Sequence, residues 1–247
     1  IQSYPLSIKI NIKAGLCVID DKTVPVRIYC DRAKTALESI EDSYYVNMAV
    51  YDKELDEKLK FENKLILEAE KAIAEDQFKV YFQPKVNLAT GEIMSAEALV
   101  RWMHTEEGLL SPIRFIPIFE HNGFITEIDL YVFRKTCEYL SKWLNNGLPK
   151  INVSVNISRA DLLNDNLPDM LLSCVEEYFL DHKLLHLEIT ETSFVDETEQ
   201  IYAMISRLRA VGFIIEMDDF GSGYSSLAML NSAPIDILKL DIQFLKN

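Results

Sequence analysis

Histidine is scarce in this chain. Only four occur in 247 residues (His104, His121, His182 and His186), and they form no metal-binding pair. Cysteine is equally sparse: Cys17, Cys30, Cys137 and Cys174 are scattered with no C-x-x-C spacing, which argues against both a zinc knuckle and a disulfide framework and favours a reducing cytosol. No run of about 18 apolar residues is present, nor a basic segment leading into an apolar one, so the sequence predicts neither a membrane span nor a signal peptide. The expected location is cytoplasmic, with any membrane anchor of a longer protein lying upstream. Positive charge is also in short supply. Lys and Arg total 25 against 39 Asp and Glu, a formal net charge of -14, and no basic patch offsets it. Duplex nucleic acid and anionic membranes are therefore not expected partners. An anionic substrate would need a neutralising device of its own, and divalent metal bound by carboxylates is the chemically simplest one.

What is present is a globular composition, 49% hydrophobic and 26% charged, enough to bury a substantial core. The first region, 1–55, reads strand, helix, strand through IKINIKAGLCVI, CDRAKTALESI and YYVNMAVY, too little to build a core alone. Residues 56–76 turn charged, with Leu59, Leu65, Ile66, Ala69, Ala72 and Ile73 near helical spacing, which predicts a linker helix that opens the next domain. From 77 to 247 strands alternate with amphipathic helices, including 128–146 before Gly147 and 197–210 before Gly212. Ser158 with Asp161 three residues on predicts a helix N-cap. Such βα repetition argues for a parallel sheet.

The strand faces separate an open sheet from a barrel. In INVSVNIS the residues Asn152, Ser154, Asn156 and Ser158 share one face, in LHLEIT His186, Glu188 and Thr190 do, and Lys239 shares a face with Asp241. An open sheet covered by helices on both sides favours continuous apolar runs. One polar face that turns ionic near the strand ends suits a TIM-like (β/α) barrel with a site at its mouth. Residues near those ends are Glu97, Asn156, Glu188, Asp218, Asp219, Lys239 and Asp241. Oxygen donors without imidazole or thiolate select Mg²⁺ or Mn²⁺. A single buried carboxylate is commonly just a satisfied polar group, but several converging on one face repel one another unless a cation holds them.

The run YFQPKVNLATGEIMSAEALVRW, with Glu97-Ala98-Leu99 and Arg101, resembles the signature of EAL domains. SPIRFIPIFEHNGFI, NVSVNIS, LEITET, DDFGSGYSSL and DILKLD follow in the family's order. The resemblance implies a metal-dependent phosphodiesterase that converts cyclic di-GMP to linear 5′-pGpG in bacterial signalling. By the same resemblance Glu97, Asn156, Glu188 and Asp218 are metal ligands and Asp219 a ligand of a second ion. Lys239 is implied as the catalytic lysine that orients or deprotonates the attacking water, and Asp241 as its acidic neighbour, with Glu97 counted in the catalytic set. Gln83, Leu99 and Arg101 are implied to hold the dinucleotide, and Glu191 to brace the loop after Asp219, which contains Gly221, Ser222, Gly223 and Ser225.

IKINIKAGLCVI and DRAKTAL resemble the closing strand and helix of a GGDEF domain, so residues 1–55 are expected to be a degenerate remnant without cyclase activity. Six candidate barrel strands are present, where closure takes eight. The barrel is therefore expected to be C-terminally incomplete, wanting two βα units and a further site glutamate and glutamine. Such an open edge implies a homodimer or other self-association and weak activity of the fragment. Two other readings stand beside the hydrolase: a catalytically silent EAL module that binds cyclic di-GMP or a protein partner, and an unrelated Mg²⁺-dependent barrel lyase.

Overall fold

The computed structural model describes residues 12–40, 45–194, 198–221 and 233–242. The chain divides into two compact units, Ile1–Leu67 and Glu68–Asn247. In the first, β1 (Ala14–Cys17) and β2 (Met48–Tyr51) pair in parallel, joined by α1 (Val26–Glu38), which buries Tyr29 and Ala36. The strand expected over 8–19 is thus shorter, with 8–11 lying outside the described residues, and the helix starts earlier than its sequence pattern. Next comes α2 (Lys53–Ala74), a helix where one was expected over 56–76, with i,i+4 ion pairs such as Lys53–Glu57 and Lys60–Asp56. The division between the units falls within this helix.

The second unit opens with the hairpin of β3 (Phe78–Val86) and β4 (Ile93–His104), to which β5 (Gly108–Leu110) adds antiparallel. Helices α3 (Ile116–Asn122) and α4 (Ile125–Asn145) precede β6 (Asn152–Asn156). Then come α5 (Arg159–Leu162), α6 (Leu167–Glu177), β7 (Leu185–Thr190), α7 (Thr198–Ala210), β8 (Ile214–Phe220) and β9 (Ile237–Leu240). The strand order is β3-β4-β6-β7-β8-β9.

One expectation needs correction, because the sheet is not parallel throughout. β4, β6, β7, β8 and β9 are parallel, but β3 runs antiparallel to β4. The reason is chain length. Only residues 87–92 connect β3 to β4, and a parallel crossover takes a dozen or more. Asn87 closes the turn, its Oδ1 accepting from the backbone N–H of Ala89 at 2.8 Å and of Thr90 at 3.2 Å.

Helix α4 forms because Ile125, Ile128, Val132, Phe133, Cys137 and Leu140 recur at helical spacing, and all are buried. The stops proposed from sequence are left-handed, Gly147 at φ 73° and Gly212 at φ 104°. Any side chain on Gly212 would also strike His182, whose Nε2 would lie 2.2 Å from the added carbon. Ser158 caps α5 with a reciprocal box: its hydroxyl oxygen accepts from Asp161 N–H, and the Asp161 carboxylate accepts from Ser158 N–H. The hairpin is anchored by fully buried Phe78, Trp102, Phe115 and Phe119, with the Phe78 and Trp102 rings 4.7 Å apart. Each such ring contributes roughly 1.5–3 kcal/mol of burial.

Two cross-sheet contacts show that the sheet curls. Lys85 on β3 reaches Glu216 on β8 at 2.8 Å, and Lys239 on β9 reaches Glu97 on β4 at 3.2 Å. Each pair is four places apart in the strand order, roughly 19 Å in a flat sheet. The sheet therefore wraps into a TIM-like barrel wall with the polar strand faces inside. Among the described residues β3 and β9 do not pair with each other, and the wall is open there.

Candidate active site

Five neighbouring strands aim one functional side chain each into the barrel mouth. Glu97 comes from β4, Asn156 from the end of β6, Glu188 from β7, Asp218 from β8 and Lys239 from β9. Parallel pairing sets these levels, since Asn156 stands opposite Glu188 and Thr190 opposite Asp218. Glu97, Glu188 and Asp218 bring one oxygen each within 4.8 Å of one another. The Lys239 ammonium donates to Asp218 Oδ2 at 2.7 Å and Glu97 Oε2 at 3.2 Å, and lies 2.9 Å from Glu188 Oε1. Asn156 Nδ2 donates to Glu97 Oε1 at 3.5 Å. These five of the residues singled out in the sequence form one cluster.

The remaining candidates surround it. Asp219 is exposed and stands outside the trio, its backbone in the left-handed region at φ 56° where β8 is irregular. Its N–H donates to Asp218 Oδ1 at 2.8 Å. Asp241 follows β9, with its N–H donating to Phe220 O at 3.1 Å. Gln83 is exposed and stands opposite Glu97 across the hairpin. Arg101 is half-buried and donates from Nη1 to Val100 O at 2.8 Å. Leu99 lines a cavity of about 700 Å³ that also touches Asn156, Pro112, Ile116 and Ser158. Buried Glu191 accepts at Oε2 from Gly221 N–H at 2.7 Å. Ser222, Gly223 and Ser225 lie outside the described residues.

Charge decides what the cluster can do. Burial pushes the Glu188 carboxyl up, and Lys85 and Lys239 only partly oppose it. Partial burial and the Asp218 and Asp241 carboxylates push Asp219 up. Burial disfavours the Lys239 ammonium, but Asp218, Glu188 and Glu97 outweigh it and hold its pKa above the ordinary lysine value. Lys239 is therefore charged here. Lys239 and Lys85, the latter shared with Glu216, do not balance three convergent carboxylates with two more aspartates nearby, so further positive charge fits. Hard oxygen donors from three strands suit a divalent cation such as Mg²⁺ or Mn²⁺.

Sequence reading missed the layer beneath. Lys85 and Glu216 were not singled out, yet Lys85 Nζ donates to Glu188 Oε1 at 2.6 Å and to Glu216 Oε2 at 2.8 Å. Glu216 Oε1 lies 2.5 Å from His186 Nδ1. Burial would raise the Glu216 carboxyl, but its hydrogen bonds to His186 and Lys85 bring it down to about 2. The signal was available, because Lys85 shares a strand face with Gln83 and Glu216 shares one with Asp218.

Residues 67–247 match the model of the family described as EAL domain. The cyclic di-GMP phosphodiesterase NbdA of Pseudomonas aeruginosa is 39% identical over 178 residues, 72% of this chain and 23% of that protein. The probable cyclic di-GMP phosphodiesterase PdeB of Escherichia coli is 37% identical over 173 residues, 70% of this chain and 33% of that protein. The chain thus spans a third or less of these relatives. Among solved structures, the PaMucR phosphodiesterase in complex with c-di-GMP superposes with a TM-score of 0.69 at 32% identity, covering 74% of each chain.

Proposed function

Because the chain belongs to the EAL domain family, we propose that it is the catalytic module of a cyclic di-GMP phosphodiesterase, hydrolysing the cyclic dinucleotide to linear 5′-pGpG with two Mg²⁺ or Mn²⁺ ions. The observation that carries this reading is the meeting of Glu97, Glu188 and Asp218 within 4.8 Å of one another, with Lys239 among them. Glu97, Asn156, Glu188 and Asp218 would hold one ion, and Asp219 would contribute to the second. A divalent cation held by these residues would supply neutralisation of the phosphodiester and a lower pKa for the attacking water. Lys239, kept charged by its carboxylates, orients that water and stabilises negative charge building on the phosphoryl oxygens, with Asp241 beside it. Arg101 suits a phosphate oxygen by its planar, fixed charge. Gln83 and Leu99 flank the dinucleotide, and Glu191 holds the turn at Gly221 so that the backbone beyond Asp219 keeps its place.

For residues 1–55 we keep the reading of a degenerate GGDEF-like remnant, followed by the 56–76 helix and the EAL domain at 77–247. The protein is read as cytoplasmic in this part, and among the described residues no helix is long and apolar enough to cross a membrane. Self-association is proposed from the open wall and from exposed Ile237, Leu238, Leu240 and Ile242 on and after β9.

Incubating the purified chain with cyclic di-GMP and Mn²⁺ or Mg²⁺, with chromatographic separation of products, tests the reading. Linear pGpG is expected. Binding without turnover would favour the silent module, and neither binding nor turnover would contradict the proposed activity.

A further inference from the structure

The buried ionic layer under the mouth has no part in the steps above. Lys85 crosses the barrel interior from β3 and touches three other strands, donating to Ser154 Oγ at 2.7 Å, Glu188 Oε1 at 2.6 Å and Glu216 Oε2 at 2.8 Å. Glu188 and Glu216 are register partners on adjacent parallel strands, so their carboxylates leave the sheet side by side, and both are buried. Glu216 is satisfied on both oxygens, by His186 on one and Lys85 on the other. Glu188 is not. Its Oε1 is shared by Lys85 and Lys239, and its buried Oε2 has no hydrogen-bond partner among the described residues.

From this arrangement we infer that Lys85 is a positioning residue: it grips Glu188 from the inner side of the barrel and fixes that carboxylate where it meets Glu97 and Asp218, thereby setting the affinity of the mouth for a divalent cation. The inference rests on the proposed reading of that trio as the cation site. Two features separate this role from simple charge balance. Glu216 has His186 as a second partner, so Lys85 is not its sole support. Coulomb's law also gives the opposite sign for a bystander, because deleting a positive charge near a divalent cation should tighten binding. Loss of affinity on removing Lys85 therefore reports geometry. Partners that orient a metal ligand typically change affinity by about 10–100-fold.

The experiment is a Mn²⁺ titration of the 247-residue chain followed by the electron paramagnetic resonance of free Mn²⁺, with the unfolding midpoint recorded for each variant. Lys85→Met is expected to weaken Mn²⁺ binding about tenfold or more, Lys85→Arg to recover part of the loss, and Glu216→Gln, which removes a nearby negative charge but leaves the grip on Glu188, to weaken it by less than Lys85→Met. Should Lys85→Met fail to fold, the Lys85→Met/Glu216→Gln double variant removes the stranded inner charge and is compared with Glu216→Gln alone. Mn²⁺ bound as tightly as in the parent, or more tightly, after loss of Lys85 would overturn the inference while leaving the cation site standing. If the parent chain binds no Mn²⁺ that Glu97→Ala abolishes, the cation-site reading itself fails and the inference goes with it.

Discussion

Asp76 shows how far a single side chain can be held from its ordinary chemistry at a surface position. Its carboxylate takes Lys79 Nζ at 2.6 Å, Lys135 Nζ at 2.8 Å and the Tyr131 hydroxyl at 2.6 Å. Lys135 first, then Lys79 and Tyr131, hold its pKa below the ordinary aspartate value. A depressed carboxylate stabilises the fold above the unfolded-state pKa, 3.8 here, and that contribution is lost as pH falls below it. Asp76→Asn keeps a residue tolerant of its left-handed φ of 54° and removes the charge together with one of the two acceptor oxygens. Because the group is half-exposed, solvent screening limits the effect to about 1 kcal/mol at pH 7. Urea unfolding should show that difference at pH 7 and its progressive loss as pH falls from 3.8 through the lower value of the folded state. At this scale the sequence was legible wherever period-2 alternation placed polar residues on one face, as with Ser154 and Asn156 or His186 and Glu188. Lys85 lay hidden because its partners stand 69 to 131 residues away, and only curvature of the sheet brings them together.

Among the elements, helix ends and strands were readable from local chemistry. The Ser158 and Asp161 pair announces a start, and left-handed glycines follow α4 and α7. Ser158→Ala removes the hydroxyl that caps α5 and should cost about 1 kcal/mol, measured by urea denaturation. An unchanged midpoint would mean that the hydroxyl's bond from Asp161 N–H contributes nothing beyond the bonds that Ser158 N–H gives to the Asp129 and Asp161 carboxylates. The direction of β3 was less legible, because a strand's apolar pattern is the same whether it runs up or down the sheet. The six-residue connection at 87–92 carried the answer, since nothing so short can return a strand in parallel. β5 escaped notice for a similar reason, as three residues carry no period.

For the molecule as a whole, acidity and curvature work together. A chain of net charge -14 that gathers carboxylates at one barrel mouth would repel the anionic substrate proposed above unless cations offset that charge. The barrel character was legible from polar strand faces, whereas the identity of the inner partners needed the fold. The exposed apolar side chains of Ile237, Leu238, Leu240 and Ile242 predict self-association: light scattering should give a mass above the 28.4 kDa of one chain, rising with concentration. A monomer across the accessible range would mean that the exposed apolar residues near β9 do not serve as an interface. The most direct test of the central claim is the turnover of cyclic di-GMP with Mn²⁺, compared with the same reaction after chelation and with Glu97→Ala. Convergent carboxylates acting through bound cations predict hydrolysis that chelation stops, that Mn²⁺ restores, and that Glu97→Ala lacks while its unfolding midpoint stays near that of the parent. Undiminished turnover by folded Glu97→Ala, or turnover indifferent to chelation, would contradict it.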